Sequence, residues 1–207
     1  MSFNPARFAR NAVIIAGVVA LGVVWTVHGI VPNLVPKRFG VVQEGRLYRS
    51  GELTTAALHD VIDDYNIATI VDLGAFAPGS AGDRREQRTA SVLGVERVCL
   101  PLFGDGTGDP NQYVEALRIM LDDKRSPVLV HCSAGSQRTG AAIALYRMRV
   151  DGWTLDQALA EAQRFDHDPK SNPKLRSYLE RWADDIFDAL DRNDRIAYDG
   201  PSPDHPD

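Results

Sequence analysis

Read for its apolar and polar positions, the 207-residue chain divides into one long apolar run and a body where short apolar runs alternate with amphipathic ones. From Ala12 to Val31 the run AVIIAGVVALGVVWTVHGIV carries no formal charge unless His28 is protonated. As a helix rising about 1.5 Å per residue it would span roughly 30 Å, the thickness of a bilayer core. A soluble helix of that length would show a polar face, so the pattern predicts one N-terminal transmembrane helix over 12–31, with Trp25, His28 and Pro32 at its boundary. In the basic segment 1–11, Arg7 and Arg10 also resemble the start of a signal peptide. The run exceeds a usual signal core, so an uncleaved signal anchor is preferred. The two arginines favour a cytoplasmic N-terminus and an exported C-terminal domain, while Lys37, Arg38 and Arg46 pull the other way. The expectation is a single-pass membrane protein with its domain exported, its orientation left to experiment.

Beyond the linker 32–38, strand patterns appear at Phe39–Val42 and Gly45–Ser50. A helix capped by Thr54 or Thr55 follows, with Leu58, Val61, Ile62 and Tyr65 on one face and Asn66 at its end. Ile67–Leu73 is a continuous apolar run of strand length, as in strands buried on both faces. A loop over Gly74–Asp83, a helix over Arg84–Leu93 and a strand over Val95–Leu102 come next. The glycine-rich stretch Phe103–Asp109 leads into a helix from Pro110, and Pro127–His131 forms another strand. Helices over Thr139–Val150, Thr154–Phe165 and from Asn172 or Pro173 to Leu190 complete the body. This alternation predicts an α/β domain over 39–194 with a central, mainly parallel sheet flanked by helices. The tail 195–207 carries no pattern that could build a core and is expected to be disordered.

Composition narrows the function classes. With 44% hydrophobic and 25% charged residues the chain is of globular type. A net charge of −5 offers no broad basic field, which sets nucleic acid aside as a partner and requires any phosphate site to be local. Two cysteines, Cys99 and Cys132, are too few for a disulfide scaffold, leaving packing, redox switching or catalysis. Nothing in the sequence sets the oligomeric state.

The chemistry concentrates in VLVHCSAGSQRTGAA, a strand that turns through a loop into an apolar helix, with five residues between Cys132 and Arg138. Such a loop can aim successive backbone amides inward and form an anion nest at a helix N-terminus. Ser133, Ala134, Gly135, Ser136 and Gln137 would supply the amides, and Gly135 permits the tight turn. Arg138 would grip two oxygens of a phosphate with its planar fork. The same donors would stabilise Cys132 as a thiolate nucleophile. Thr139 could hydrogen-bond the departing sulfur, and His131 could hold the loop through its ring nitrogens.

His131, Cys132, Gly135, Arg138, Thr139 and Gly140 spell HCxxGxxRTG, which resembles the signature of the cysteine-dependent protein tyrosine and dual-specificity phosphatase superfamily. Gly45 to Gly51 (GRLYRSG) is similar to the opening of its small bacterial and fungal members, and the Pro101–Leu102 strand end also matches. The resemblance covers about Phe39 to Asp191. It implies a protein-tyrosine-phosphatase-like fold and a phosphocysteine intermediate, with no metal and no cofactor. The substrate would be a phosphorylated protein or a small phosphomonoester. It also places a general acid on FGDGTGDP, where Asp105 is preferred over Asp109, because Asp109 precedes Pro110 and suits a helix cap.

Several positions depart from the family or stay open. Gly74 stands where many relatives carry Arg, and Ser136 and Gln137 lack the lysines of phosphoinositide-directed members. Arg49 either binds a carboxylate inside the domain or forms the pocket rim. Cys99 either packs in the core or traps Cys132 as a disulfide. Asp83, Glu86 and the stretch Asp184–Asp194 read as solvated helix faces without a catalytic role. A phosphatase for membrane lipids or other small molecules and a non-catalytic phosphate-binding module are the alternative functions.

Overall fold

The computed structural model describes residues 5–203, with side chains described from residue 15 onward except at 28, 30, 32 and 33. The chain opens with helix α1 (Pro5–Trp25), a widened π-type turn over Thr26–Ile30 and a short helix α2 (Val31–Leu34). Five strands follow in one sheet: β1 (Gly40–Gln43), β2 (Leu47–Ser50), β3 (Thr69–Asp72), β4 (Glu96–Cys99) and β5 (Val128–His131). Their spatial order is β1-β2-β5-β3-β4; β1 runs antiparallel to β2 and the other neighbours are parallel. The mainly parallel sheet read from the alternation of elements is therefore present, with one antiparallel edge.

Every residue of β2, β3 and β5 is buried, which is why their sequences read as unbroken apolar runs rather than alternating ones. Alternation survives in which layer each side chain enters. Val128, Val130 and Val71 join one core with helices α5 (Pro110–Leu121), α6 (Gln137–Val150), α7 (Leu155–Gln163) and α8 (Lys174–Arg192). Leu129, Ile70 and Tyr48 join the opposite core with α3 (Thr55–Tyr65) and α4 (Ala81–Val92). Thr54 caps α3 and Asn66 ends it with a left-handed residue (φ 51°), as its sequence signals require. Thr154 and Gln157 form a reciprocal capping box on α7.

Three boundaries differ from expectation. β1 keeps its expected length but starts one residue later, and β2 to β5 are shorter than expected, four residues each. Helix α6 begins two residues before Thr139, so Gln137 and Arg138 are helical. The expected tail is held at its near end: Ile196 exchanges two hydrogen bonds with the Asn111 side chain (2.8 and 3.0 Å), and Tyr198 packs edge-on against Trp182. These contacts depend on partners far back in sequence, which a local pattern cannot show. Residues 204–207 lie outside the described residues.

At the other end, the side chains of Arg7 and Arg10 and those of 12–14, 28, 30 and 32 lie outside what the structure describes. Among the described residues no helix is long and apolar enough to cross a membrane, so the span expected over 12–31 gains no support from the fold.

Candidate active site

The loop from Cys132 to Ser136 joins the carboxyl end of β5 to the N-terminus of α6, at the sheet edge where the loops after β2, β3 and β4 also converge. In open parallel sheets that edge is where ligands bind. Gly135 adopts φ 79°, and a Cβ there would lie 2.5 Å from the amide nitrogen of Gly51; a Cβ on Gly51 would lie 2.7 Å from the carbonyl oxygen of Ala134. The two glycines let the loop press against the end of β2, which explains why Gly51 follows the LYRS strand. With the loop curled this way, the Gly135 amide donates to the Cys132 sulfur at 3.2 Å, and Cys132 is buried. The α6 N-terminus faces the same space, and Ser136 makes no side-chain cap, so the helix end keeps its free amides for a ligand.

Arg138 lies on the first turn of α6. Its Nη1 donates to the carbonyls of Leu73 (3.1 Å) and Gly74, and its Nε is buried without a partner. A buried guanidinium nitrogen left unpaired is costly unless a ligand satisfies it. Gly74 in place of Arg has a steric reason: at φ 82°, a Cβ would stand 3.1 Å from Arg138 Nη1 and 3.2 Å from Pro101 Cα.

Two supporting residues are engaged elsewhere. The Thr139 hydroxyl donates to the Ser50 carbonyl at 3.5 Å, and no hydrogen bond joins it to the sulfur. His131 does not hold the loop through its ring. Strand alternation turns it to the α4 side, where Nε2 stands 3.2 Å from Glu86 Oε1 without hydrogen-bond geometry.

That side holds a buried ionic network absent from the sequence reading. Arg97 Nη2 meets Asp72 (2.6 Å) and Asp83 (2.9 Å), and its Nε meets Glu86 (3.0 Å). Asp72 also accepts from the Ala75 amide at 2.6 Å. Glu86 is only 5% exposed, which corrects the expectation that it lies on a solvated face; Asp83 is likewise ion-paired to Arg97. Burial pushes the Glu86 carboxyl up; His131 opposes this, Asp72 adds to it and Arg97 opposes it, with a net rise. Asp72, Glu86 and His131 bring ligand atoms within 4.8 Å of one another. A metal ion there would face the Arg97 guanidinium, which already neutralises two of the three, so the donor set does not suit one.

The two acid candidates separate clearly. Asp109 is the N-cap of α5, accepting from the Asn111 amide at 2.9 Å and its side chain at 2.8 Å. Asp105 lies on the glycine-rich loop, accepts from the Thr107 amide (3.1 Å) and hydroxyl (2.7 Å), and pairs with Lys174 at 3.4 Å. Burial would raise its carboxyl, but the Thr107 and Lys174 contacts outweigh burial and bring it below the usual range. Tyr113, fully buried beneath this loop, donates to the Gly106 carbonyl at 2.7 Å. Burial raises its hydroxyl well above the usual range, with Tyr178 and Cys132 adding to the rise.

Arg49 meets neither a carboxylate nor the rim. It is 1% exposed, stacks on Phe165 at 3.7 Å and donates to the Gly135 carbonyl at 2.6 Å. Desolvation pushes its guanidinium down to about 10, with Glu161 and Cys132 opposing. Gln137 Oε1 lies 2.5 Å from His167 Nδ1 and accepts its proton in the Nδ1–H tautomer, which fixes the side chain away from a ligand role. Cys99 pairs in register with Asp72, which in turn pairs with His131, so two strand spacings of about 4.8 Å separate it from β5. That separation exceeds the reach of a disulfide. Cys99 is exposed and so does not pack in the core; desolvation of its sulfur and the neighbouring Asp72 push the thiol up to about 12.

Comparison with known proteins agrees with this geometry. Residues 104–198 match the family model described as "Tyrosine phosphatase family". The dual specificity protein phosphatase TpbA of Pseudomonas aeruginosa is 33% identical over 90 residues, 44% of this chain and 41% of that protein. Inositol diphosphatase DSP3 of Arabidopsis thaliana is 26% identical over 136 residues, 62% of each chain. The chain thus spans less than two thirds of these curated relatives. Among solved structures, the core catalytic domain of the PP-IP phosphatase SIW14 from S. cerevisiae superposes with TM-score 0.62 at 22% identity, over 76% of this chain and 93% of that one. P. aeruginosa TpbA gives 0.60 at 24%, over 75% and 91%. Over residues 104–198 the chain is thus similar to the tyrosine phosphatase family, and its fold is that of these solved phosphatase domains.

Proposed function

We propose that the domain is a phosphoric monoester hydrolase of the protein tyrosine or dual-specificity type. The Cys132 thiolate attacks the phosphorus and the ester P–O bond breaks, the leaving oxygen taking a proton from Asp105; water then cleaves the phosphocysteine to inorganic phosphate and free Cys132. The observation that carries this reading is the Gly135 amide on the Cys132 sulfur at 3.2 Å, inside a loop whose next turn carries an Arg138 with an unpartnered buried nitrogen. An oxyanion above the sulfur would satisfy that nitrogen and the free amides of α6 together. Ser133, Ala134, Gly135, Ser136 and Gln137 contribute backbone donors, Thr139 ties the first turn of α6 to the Ser50 carbonyl, and no metal or cofactor is called on. Asp105 is the general acid. Its contacts with Thr107 and Lys174 favour the carboxylate, so protonating the leaving oxygen requires that substrate replace them.

Hydrolysis of an aryl phosphate by the full chain in chelator, inhibited by vanadate and abolished in Cys132→Ser, tests the reading. Retention of turnover in that variant would end it. A second reading, action on an inositol phosphate or another small phosphorylated molecule, is favoured by the similarity to an inositol diphosphatase. Parallel assays on phosphotyrosine peptides and inositol pyrophosphates rank the two.

The membrane expectation enters here as part of the proposal. Ile15, Val18, Leu21, Val24 and Trp25 on α1 are each more than half exposed, an apolar surface suited to lipid. Residues 12–31 would then tether the chain by a single pass with the domain exported. A topology reporter fused after Asp207 reads the orientation directly.

A further inference from the structure

Three successive carbonyls of the Cys132 loop are each gripped by a different cation. Lys37 Nζ donates to the Ser133 carbonyl at 2.9 Å, alongside the Glu52 amide at 3.1 Å, Arg38 Nη1 to that of Ala134 at 2.7 Å, and Arg49 Nη2 to that of Gly135 at 2.6 Å. In a trans peptide the C=O and the following N–H point in opposite directions. Fixing these carbonyls away from the centre therefore fixes the amides of Ala134, Gly135 and Ser136 toward it. The middle amide verifies this, since Gly135 N–H is the group that reaches the Cys132 sulfur. A cation on each carbonyl also polarises its peptide unit and strengthens the amide as a donor.

Arg49 is buried within β2, but Lys37 and Arg38 stand outside the expected domain, at the end of the linker that follows α1 and α2. Arg38 is held at φ 47°, a left-handed conformation that costs a bulky residue energy and persists where the surroundings impose it. The imposing contacts are the Ala134 carbonyl, the Asp166 carboxylate at 2.7 Å and the Gly51 amide on the Lys37 carbonyl at 2.7 Å.

We propose that Lys37 and Arg38 are positioning residues for the oxyanion cradle, so that its affinity for a phosphate-like anion depends on how the segment carrying the N-terminal helix is seated. The proposal rests on the hydrolase reading in placing the anion over Cys132. Its consequence is that a chain beginning at Phe39 would retain the cysteine, the arginine and the acid yet hold its amides loosely.

The test uses the full chain. Equilibrium binding of vanadate, KM and kcat on an aryl phosphate, and the melting temperature are measured for Lys37→Met, Arg38→Met and their combination. Lys37→Arg and Arg38→Lys serve as rescues, and Arg181→Met, an exposed cation on α8, controls for lost charge. The double variant is expected to bind vanadate about tenfold more weakly, equivalent to about 1.4 kcal/mol. KM should rise in step and the melting temperature should stay within a few degrees. The rescues should recover to within about threefold of the parent. Asp166→Asn, which frees the outer side of Arg38 without touching the loop, should produce a smaller loss in the same direction and covers the case of a double variant that does not fold. Vanadate affinity within twofold of the parent in the double variant, or an equal loss in Arg181→Met, overturns the proposal. A parent that binds vanadate but does not turn over would sink the hydrolase reading alone, and the affinity ratio would still decide this one. A parent that does not bind vanadate sinks both.

Discussion

Replacing Arg97 by Met tests whether the network behind the loop is held by charge. The guanidinium is 4% exposed and lies between Asp72 (0%), Glu86 (5%) and Asp83 (21%). Methionine fills much of the volume but leaves buried carboxylates facing one another. Removing one partner of a buried ion pair costs about 3–5 kcal/mol, because the remaining charge is uncompensated. For a chain of this size each kcal/mol shifts the melting temperature by about 2–4 °C, so the loss should be roughly 6–20 °C. The effect must also depend on pH in a set direction. The Glu86 carboxyl is raised by burial and by Asp72 while His131 and Arg97 pull it down, and Asp83 faces Arg97 from the same helix as Glu86. A carboxyl raised in the folded state binds more protons there than in the unfolded state, so its contribution is full at low pH and declines as pH rises through the raised value. Without Arg97 the rise is larger, so the deficit of Arg97→Met should be greatest near pH 8 and should narrow toward pH 5. Thermal denaturation followed by circular dichroism at both pH values reads this, and Glu86→Gln on top of Arg97→Met should recover part of the loss. A deficit below about 1 kcal/mol at both pH values, or one that grows toward acid, would refute the reasoning.

Other outcomes follow from single contacts. Cys132→Ser should abolish turnover while retaining phosphate binding by calorimetry, whereas Arg138→Ala should lose both. Asp105→Asn should slow turnover of poor leaving groups by about 10²–10⁴-fold, while Asp109→Ala should instead lower stability by about 1 kcal/mol through loss of the α5 cap; exchange of these two phenotypes would reverse their roles. Lys174→Met should raise the Asp105 carboxyl toward its ordinary value, moving the basic limb of the kcat profile upward, since a general acid must be protonated to act. Gly135→Ala, whose Cβ would lie 2.5 Å from the Gly51 amide nitrogen, should weaken vanadate binding and lower the melting temperature together.

The parts of this molecule that were legible in sequence are those whose signal is local. Strands β2, β3 and β5 announce themselves because burial on both faces leaves no polar alternation. The loop announces itself because its chemistry needs a cysteine and an arginine at one spacing on one turn. What could not be read was every function carried by a partner distant in sequence. Lys37 and Arg38 act on carbonyls 96 residues away, and the only trace in sequence was two adjacent cations in a linker. Arg97 and Asp72 left a slightly better trace, as charges within strands of otherwise apolar character, which is the pattern expected of a buried pair. Glu86 left none, because a carboxylate on a helix rich in Arg and Gln looks solvated until the sheet is folded against it.

The two ionic systems share one strand end and divide its work by charge. On the side of α4, Asp72 and Glu86 stand near His131, the residue before Cys132, and Arg97 pairs with both and with Asp83. On the loop itself, Lys37, Arg38 and Arg49 place only positive charge, at the carbonyl side of the peptide units, with Arg138 on the following turn. A sulfur anion and an incoming oxyanion are both disfavoured by burial, and each is stabilised by amides whose direction these cations impose. Cys132 in a buried position is therefore consistent with reactivity only while those cations are in place. Loss of Lys37 and Arg38 should weaken anion binding with little effect on folding, whereas loss of Arg97 should act first on folding. That ordering distinguishes preorganised charge around the loop from a general benefit of ion pairs, which would lower both quantities in parallel.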